Sequence, residues 1–218
     1  MSHTAFFYGT LMAPPVLHRV IWGSPTPPTP AHASLLHIRP AILHAHQRRK
    51  VKGADYPGVV PVSSPSETAS VRGTLVQGLT DGDIWRLDVF EGSEYVRRKV
   101  RVRVLLPSQK VQGGKGEEEG MGDLAQKEED NVEGDEVEAE TYIWVAGEHR
   151  LEDDEWDFAE FVREKMGRWV GGVELEDVDN AVAAAQGDPT GGRGANGDIT
   201  RQLNQESRTS SKILESAV

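Results

Sequence analysis

Tyr95-Val96-Arg97-Arg98-Lys99-Val100-Arg101-Val102-Arg103-Val104-Leu105-Leu106 is the stretch on which the fold turns. Val96, Val100, Val102 and Val104 fall on one side of an extended chain, and Arg97, Arg101 and Arg103 on the other. That alternation predicts a strand with one face on a core and one toward water. Its expected partner is the segment 137–145, with Thr141, Ile143 and Val145 on one face. Between the two, residues 108–139 hold 11 acidic and 3 basic residues among many glycines, with almost no large apolar groups. Such a segment cannot bury enough surface to offset its ordering entropy. It reads as a disordered acidic insertion, at about 108–138, in an antiparallel hairpin, where a long surface loop costs little.

Working outward, Thr4-Ala5-Phe6-Phe7-Tyr8 reads as a strand ending at Gly9. Pro14 and Pro15 suit the first turn of a helix whose Val16, Leu17, Val20 and Ile21 share a face, with Gly23 at its end. A Pro-rich connection follows over 24–30, then an extended segment over 34–46, interrupted at Pro40. Tyr56-Pro57-Gly58 is a turn leading into extended Val59 and Val60. Residues 71–79 form another strand, in which Gly73 marks a bulge or a close backbone approach. Asp81 and Asp83 offer N-caps for a short helix with Ile84, Leu87 and Val89 or Phe90 inward, closed by Glu91 and Gly92. The last predicted helix runs over 152–170, with Asp153 and Asp154 at its start. Phe158, Phe161, Val162, Met166, Trp169 and Val170 make its stripe. The order predicts α+β, with a mostly antiparallel sheet that can close as a small barrel.

All fourteen aromatic residues lie between Phe6 and Trp169, so the folded unit is expected over 1–186, followed by a disordered tail over 187–218. The net charge of −11 resides mostly in the acidic insertion, which leaves no basic excess for nucleic acid. The chain lacks cysteine, which excludes disulfides and thiolate chemistry and permits a reducing compartment. No signal peptide and no apolar run long enough to span a bilayer is legible, and a cytoplasmic location is expected.

Several apparent motifs fail on context. Gly192-Arg193-Gly194-Ala195-Asn196-Gly197 has the dinucleotide spacing without the flanking strand and helix. His44 and His46 could share a strand face, but no third metal ligand accompanies them. The basic runs 48–50 and 97–99 read as solvated faces. Two features survive. At Tyr8-Gly9-Thr10-Leu11 the amides of residues 9–11 would stand before a helix start, an arrangement suited to a carboxylate, though also an ordinary strand-to-helix turn. Glu91 closes a short helix beside Gly92, flanked by Phe90 and Tyr95. It is either an exposed Glu or a carboxyl among aromatics whose raised pKa suits proton transfer near neutrality.

Taken in order, Phe7-Tyr8-Gly9-Thr10-Leu11-Met12, Asp55-Tyr56-Pro57-Gly58, Val71-Arg72-Gly73-Thr74-Leu75, Leu87-Asp88-Val89-Phe90-Glu91-Gly92 with Tyr95 and Arg97, and Thr141-Tyr142-Ile143-Trp144 resemble the gamma-glutamylcyclotransferase-like family, in the branch first described as plant avirulence-induced proteins. The resemblance runs from about Ala5 to Val170. It implies a small β-barrel decorated by helices. It also implies Glu91 as proton acceptor and a substrate cavity lined by Tyr8, Gly9, Thr10 and Leu11, with Tyr56 and Tyr95 as further cavity candidates. The implied reaction releases 5-oxoproline from a small γ-glutamyl compound, with no metal, no cofactor, no nucleic acid and no membrane. The alternative is an inactive module that keeps the cavity for a small ligand or uses the acidic loop for interaction.

Overall fold

The structure, a computed structural model, describes residues 2–62, 69–106, 131–171 and 179–180. Five strands close a barrel: β1 (His3–Phe7), β2 (His37–His44), β5 (Ser70–Leu79), β6 (Tyr95–Leu106) and β7 (Val132–Trp144), in the order β1-β5-β2-β6-β7. Every pairing is antiparallel except the closing one, where β1 meets β7 in parallel at Ala5 and Glu140. β3 (His46–Lys50) and β4 (Pro57–Pro61) form a separate two-stranded sheet. The helices are α1 (Pro14–Trp22), α2 (Pro30–Ala33), α3 (Asp81–Glu91), α4 (Phe158–Glu164) and α5 (Met166–Val170).

The barrel interior is apolar because alternate residues of each strand point inward. Phe6, Leu43, Leu75, Val102 and Val104 meet there. Gly73 permits this packing: a Cβ on it would stand 2.2 Å from the Phe7 carbonyl oxygen and 2.7 Å from the Phe6 ring, the close approach its position in a strand predicts. A second cluster joins the outside of the barrel to the helices, through Val16, Leu17, Val20, Leu87, Phe161 and Trp169.

Four expectations change. β2 runs straight through Pro40, which pairs with Thr74. Because β2 meets β6 only at Ala41 and Ile42, Pro40 stands at the margin of that pairing, where a missing N–H costs least. The cap of α3 is Thr80 rather than Asp81 or Asp83: its hydroxyl accepts from the Asp83 amide while the Asp83 carboxylate accepts from the Thr80 amide.

The helix expected over 152–170 starts only at Phe158, capped by Asp157, and breaks at Lys165. Residues 152–155 are instead tied along β3. The Glu152 amide donates to the Lys50 carbonyl and the Lys50 amide to the Asp154 carbonyl. Arg49 reaches the Glu152 carbonyl and the Asp153 carboxylate, and Arg48 pairs with Glu155. The run 48–50 is therefore no solvated face: Arg48 and Arg49 are mostly buried and brace this segment.

The fourth change concerns the acidic insertion. Val132 opens β7, so residues 132–138 belong to the hairpin. There the alternate acids face the alternate bases of β6: Lys99 pairs with Glu138, and Arg101 and Arg103 with Glu136. Val145 falls beyond the strand and is exposed, while Thr141 is buried and donates its hydroxyl proton to the Phe6 carbonyl. The segment 107–130, the tail from 187 and the glycine-rich 192–197 lie outside the described residues.

Candidate active site

Glu91 is the last residue of α3, and Gly92 takes a positive φ of 69° that turns the chain toward β6. The glutamate keeps a small opening to solvent. Its carboxyl nonetheless lies deep enough that burial, reinforced by the negative charge of Asp88, pushes its pKa up from 4.5 to about 8. Among the described residues it has no hydrogen-bond or ion-pair partner. The exposed-glutamate reading is thereby set aside.

Around Glu91 stand Tyr8, Tyr56, Tyr95 and Tyr142, which are all four tyrosines of the chain. Burial pushes every one of these phenols up, Tyr56 to about 12, and the charge of Glu91 adds to the shift at each. All four therefore stay neutral at physiological pH. Each hydroxyl proton is already committed. Tyr8 donates to the Tyr142 carbonyl and Tyr95 to the Pro57 carbonyl at 2.9 Å. Tyr56 donates to Glu94 at 3.1 Å and Tyr142 to Asp88 at 3.0 Å. The phenol oxygens keep lone pairs as acceptors, but none has a spare proton to give.

The residues Gly9, Thr10 and Leu11 sit where β1 leaves the barrel. A 3₁₀ turn over Thr10–Met12 separates them from α1, so their amides open that turn rather than the helix. The first amides of such a turn have no partner within it and are available to an anion. Gly9 is needed for a packing reason the sequence did not show: a Cβ on it would lie 2.9 Å from the Pro57 ring. That contact brings the 55–58 turn against the 8–11 turn, and Arg48 ties the start of the 8–11 turn to β5 by donating to the Tyr8 carbonyl at 3.0 Å and the Arg72 carbonyl at 3.3 Å.

Sequence reasoning gave no site role to four members of the cluster, Asp88, Arg97, Glu140 and Tyr142. Asp88, one helical turn before Glu91, accepts from Arg97 Nε at 3.0 Å and from the Tyr142 hydroxyl. Arg97 also pairs with Glu140 at 2.5 Å. It is no solvated strand charge, and the Asp-x-x-Glu spacing was the signal that could have found Asp88. A cavity of about 280 Å³ opens on this side, with Asp88, Gly92, Tyr95, Arg97, Glu140 and Tyr142 on its wall. Of the residues expected at the site it touches Tyr95 but neither Glu91 nor residues 8–11. His44 and His46 are parted by Ala45, at a positive φ of 58°, and His44 bonds Glu133 at 2.8 Å.

A profile of the gamma-glutamyl cyclotransferase, AIG2-like family matches residues 5–158, from β1 to the first residue of α4. The chain belongs to that family. Among curated members, Protein AIG2 B of Arabidopsis thaliana is 29% identical over 170 residues, covering 78% of this chain and 76% of that protein. Another Arabidopsis protein, solved in solution, is 25% identical with a TM-score of 0.44, covering 87% of each chain. A solved gamma-glutamyl cyclotransferase is 15% identical with a TM-score of 0.43, covering 94% of this chain and 99% of its own. The family match spans the barrel, the 8–11 turn and Glu91, and stops short of most of α4 and all of α5.

Proposed function

We propose that this protein is a γ-glutamyl cyclotransferase in which Glu91 carries protons within the substrate. The observation that carries the reading is the Glu91 carboxyl itself: partly buried, unpartnered among the described residues, basic enough to hold a proton near pH 8, and ringed by neutral phenols. Family membership supports the reaction class.

The substrate class is a small γ-glutamyl amide with a free α-amine. The amine enters as ammonium and cannot attack. A carboxylate with a pKa near 8 is closely matched to an amine, so transfer to it is nearly isoenergetic. The freed amine then attacks its own γ-carbonyl carbon and closes a five-membered ring, with nucleophile and electrophile already in one molecule. The ring nitrogen sheds two protons in all. Glu91 relays them to the departing nitrogen as the old C–N bond breaks, so the leaving amine departs as ammonium and Glu91 returns to carboxylate. The products are 5-oxoproline and an amine or amino acid.

Because all four tyrosine protons are committed, the carbonyl oxygen that gains charge falls to backbone donors, and the amides of residues 9–11 are our candidates. The side chains of Tyr8 and Tyr95 wall the site and keep it dry. This scheme asks for no cofactor, and the absence of cysteine fits the cytoplasmic setting included in this reading. The test is release of 5-oxoproline from a panel of γ-glutamyl amino acids, γ-glutamyl amines and glutathione. Silence of the folded protein across the panel would favour the inactive binding module.

A further inference from the structure

A groove of about 520 Å³ opens between the corner that joins β2 to β3 and the middle of β6. Neither Glu91, nor residues 8–11, nor any tyrosine lines it. The groove exists because the seam between β2 and β6 is short. The two strands pair only at Ala41 with Val104 and at Ile42 with Arg103. Ala45, at a positive φ of 58°, then turns the chain out of β2 and into β3. Over residues 98–101, β6 is paired with β7 alone among the described residues. Its other edge is left open beside the groove, with backbone N–H and C=O groups that have no strand partner.

The lining joins apolar and basic groups and holds no acid. Leu43 is buried, and Val100 and Ile143 pack against the same apolar cluster of the barrel interior. Three of the basic groups are already neutralised from β7: Lys99 by Glu138, Arg101 by Glu136 and His44 by Glu133, each at 2.8 Å. Arg98 differs. It is exposed and has no hydrogen-bond or ion-pair partner among the described residues. By register it shares the strand face of Val100 and Val102, not that of the paired bases, and it stands opposite Thr141, which is fully buried. A guanidinium is thus set in the core-facing row of β6, at the point where the sheet has lost its cover.

We propose that this groove binds a small organic carboxylate with an apolar body. One unpartnered cation calls for one negative charge, and the planar fork of a guanidinium matches a carboxylate with two parallel bonds. The open edge of β6 adds backbone donors beside it. Leu43, Pro61, Val100 and Ile143 offer the surface that the apolar body covers, and the volume is that of an ordinary small-molecule site. An inorganic anion would gain nothing from those four side chains, and a doubly charged one would find a single spare cation. The site stands whether or not Glu91 is the proton carrier, since the two share no residue.

The test follows backbone amide shifts of the full-length ¹⁵N-labelled protein during titration with three probes. Phenylbutyrate has both the charge and the apolar body, phenylbutanol has the body alone, and acetate has the charge alone. Phenylbutyrate should saturate with a Kd on the order of 1 mM, ordinary for a ligand of its size, and its shifts should cluster at residues 98–101 and 143. Phenylbutanol and acetate should each bind at least about tenfold more weakly. Arg98→Gln should keep the melting temperature, because the side chain is exposed, and should lose about tenfold in affinity for phenylbutyrate. Arg98→Lys, which keeps the charge without the fork, should fall between the two, and Arg103→Gln, outside the lining, should bind as the wild type does. Acetate shifts equal to those of phenylbutyrate would mean an adventitious ion only and overturn the proposal. Equal binding of phenylbutanol, an Arg98→Gln protein that binds as tightly as the wild type, or shifts centred away from the groove would each overturn it too.

Discussion

Replacing Glu91 with Gln should make the protein more stable, by an amount that grows with pH. The carboxyl titrates at about 4.5 in an unfolded chain and at about 8 in the folded one. Between those values the folded state keeps a proton that the unfolded state has lost. Stability therefore falls as pH rises through this window. The contribution is fully present below pH 4.5 and is lost as pH passes 8. One proton over the window is worth about 1.4 kcal/mol per pH unit, which sets a ceiling of roughly 5 kcal/mol. The small opening of Glu91 to solvent lowers the realised figure to about 2–4 kcal/mol. Gln has nearly the same shape and no charge to bury, so the variant should lack this decline. Urea unfolding of both proteins at half-unit steps from pH 4.5 to 9 measures the difference, and the other titrating groups cancel because both proteins share them. The two curves should meet near pH 4.5 and separate steadily toward pH 8, where the melting temperatures should differ by about 5–10 °C. Parallel curves would show that Glu91 is not buried as a neutral acid, and the account of the site would fail with them.

Gly9→Val should reduce both activity and stability, because its Cβ would press on Pro57, whose carbonyl accepts from Tyr95. A folded, fully active Gly9→Val protein would separate the 8–11 turn from the site. Replacing residues 108–130 with a short Gly-Ser turn should preserve fold and activity, since Leu106 and Val132 are already paired. A large drop in melting temperature would show that the segment packs on the barrel. Extending that deletion to residue 138 should cost stability, because it removes strand residues and the acids that pair with Lys99, Arg101 and Arg103.

The barrel was legible where the pattern was local. The alternation of Val and Arg in β6 and the stripe of α1 are properties of short windows, and the structure follows them. The closing contact of Ala5 with Glu140 joins the two ends of the sheet and leaves no local trace. Composition misled at β7: the acids of 133–138 were counted as bulk charge, when they face the bases of β6 across the hairpin. Composition also misled at 152–157, where a helical stripe was extended backward over residues that Arg48 and Arg49 hold along β3. At the site, Glu91 and the 8–11 turn stood out locally, as a carboxyl flanked by aromatics and as a strand-to-helix turn, and the ordered resemblance gave them their roles. Asp88, Arg97 and Tyr142 acquire meaning only when α3, β6 and β7 meet.

The most direct measurement is 5-oxoproline formation by wild-type protein and Glu91→Gln on the best substrate of the γ-glutamyl panel, across pH 6 to 9. The wild type should turn over with kcat/KM rising toward pH 8 as Glu91 loses its proton in the free protein. The variant should stay folded, bind the substrate and lose activity by roughly 10²-fold or more. A Glu91→Gln protein that cyclises the substrate at the wild-type rate would contradict the central claim.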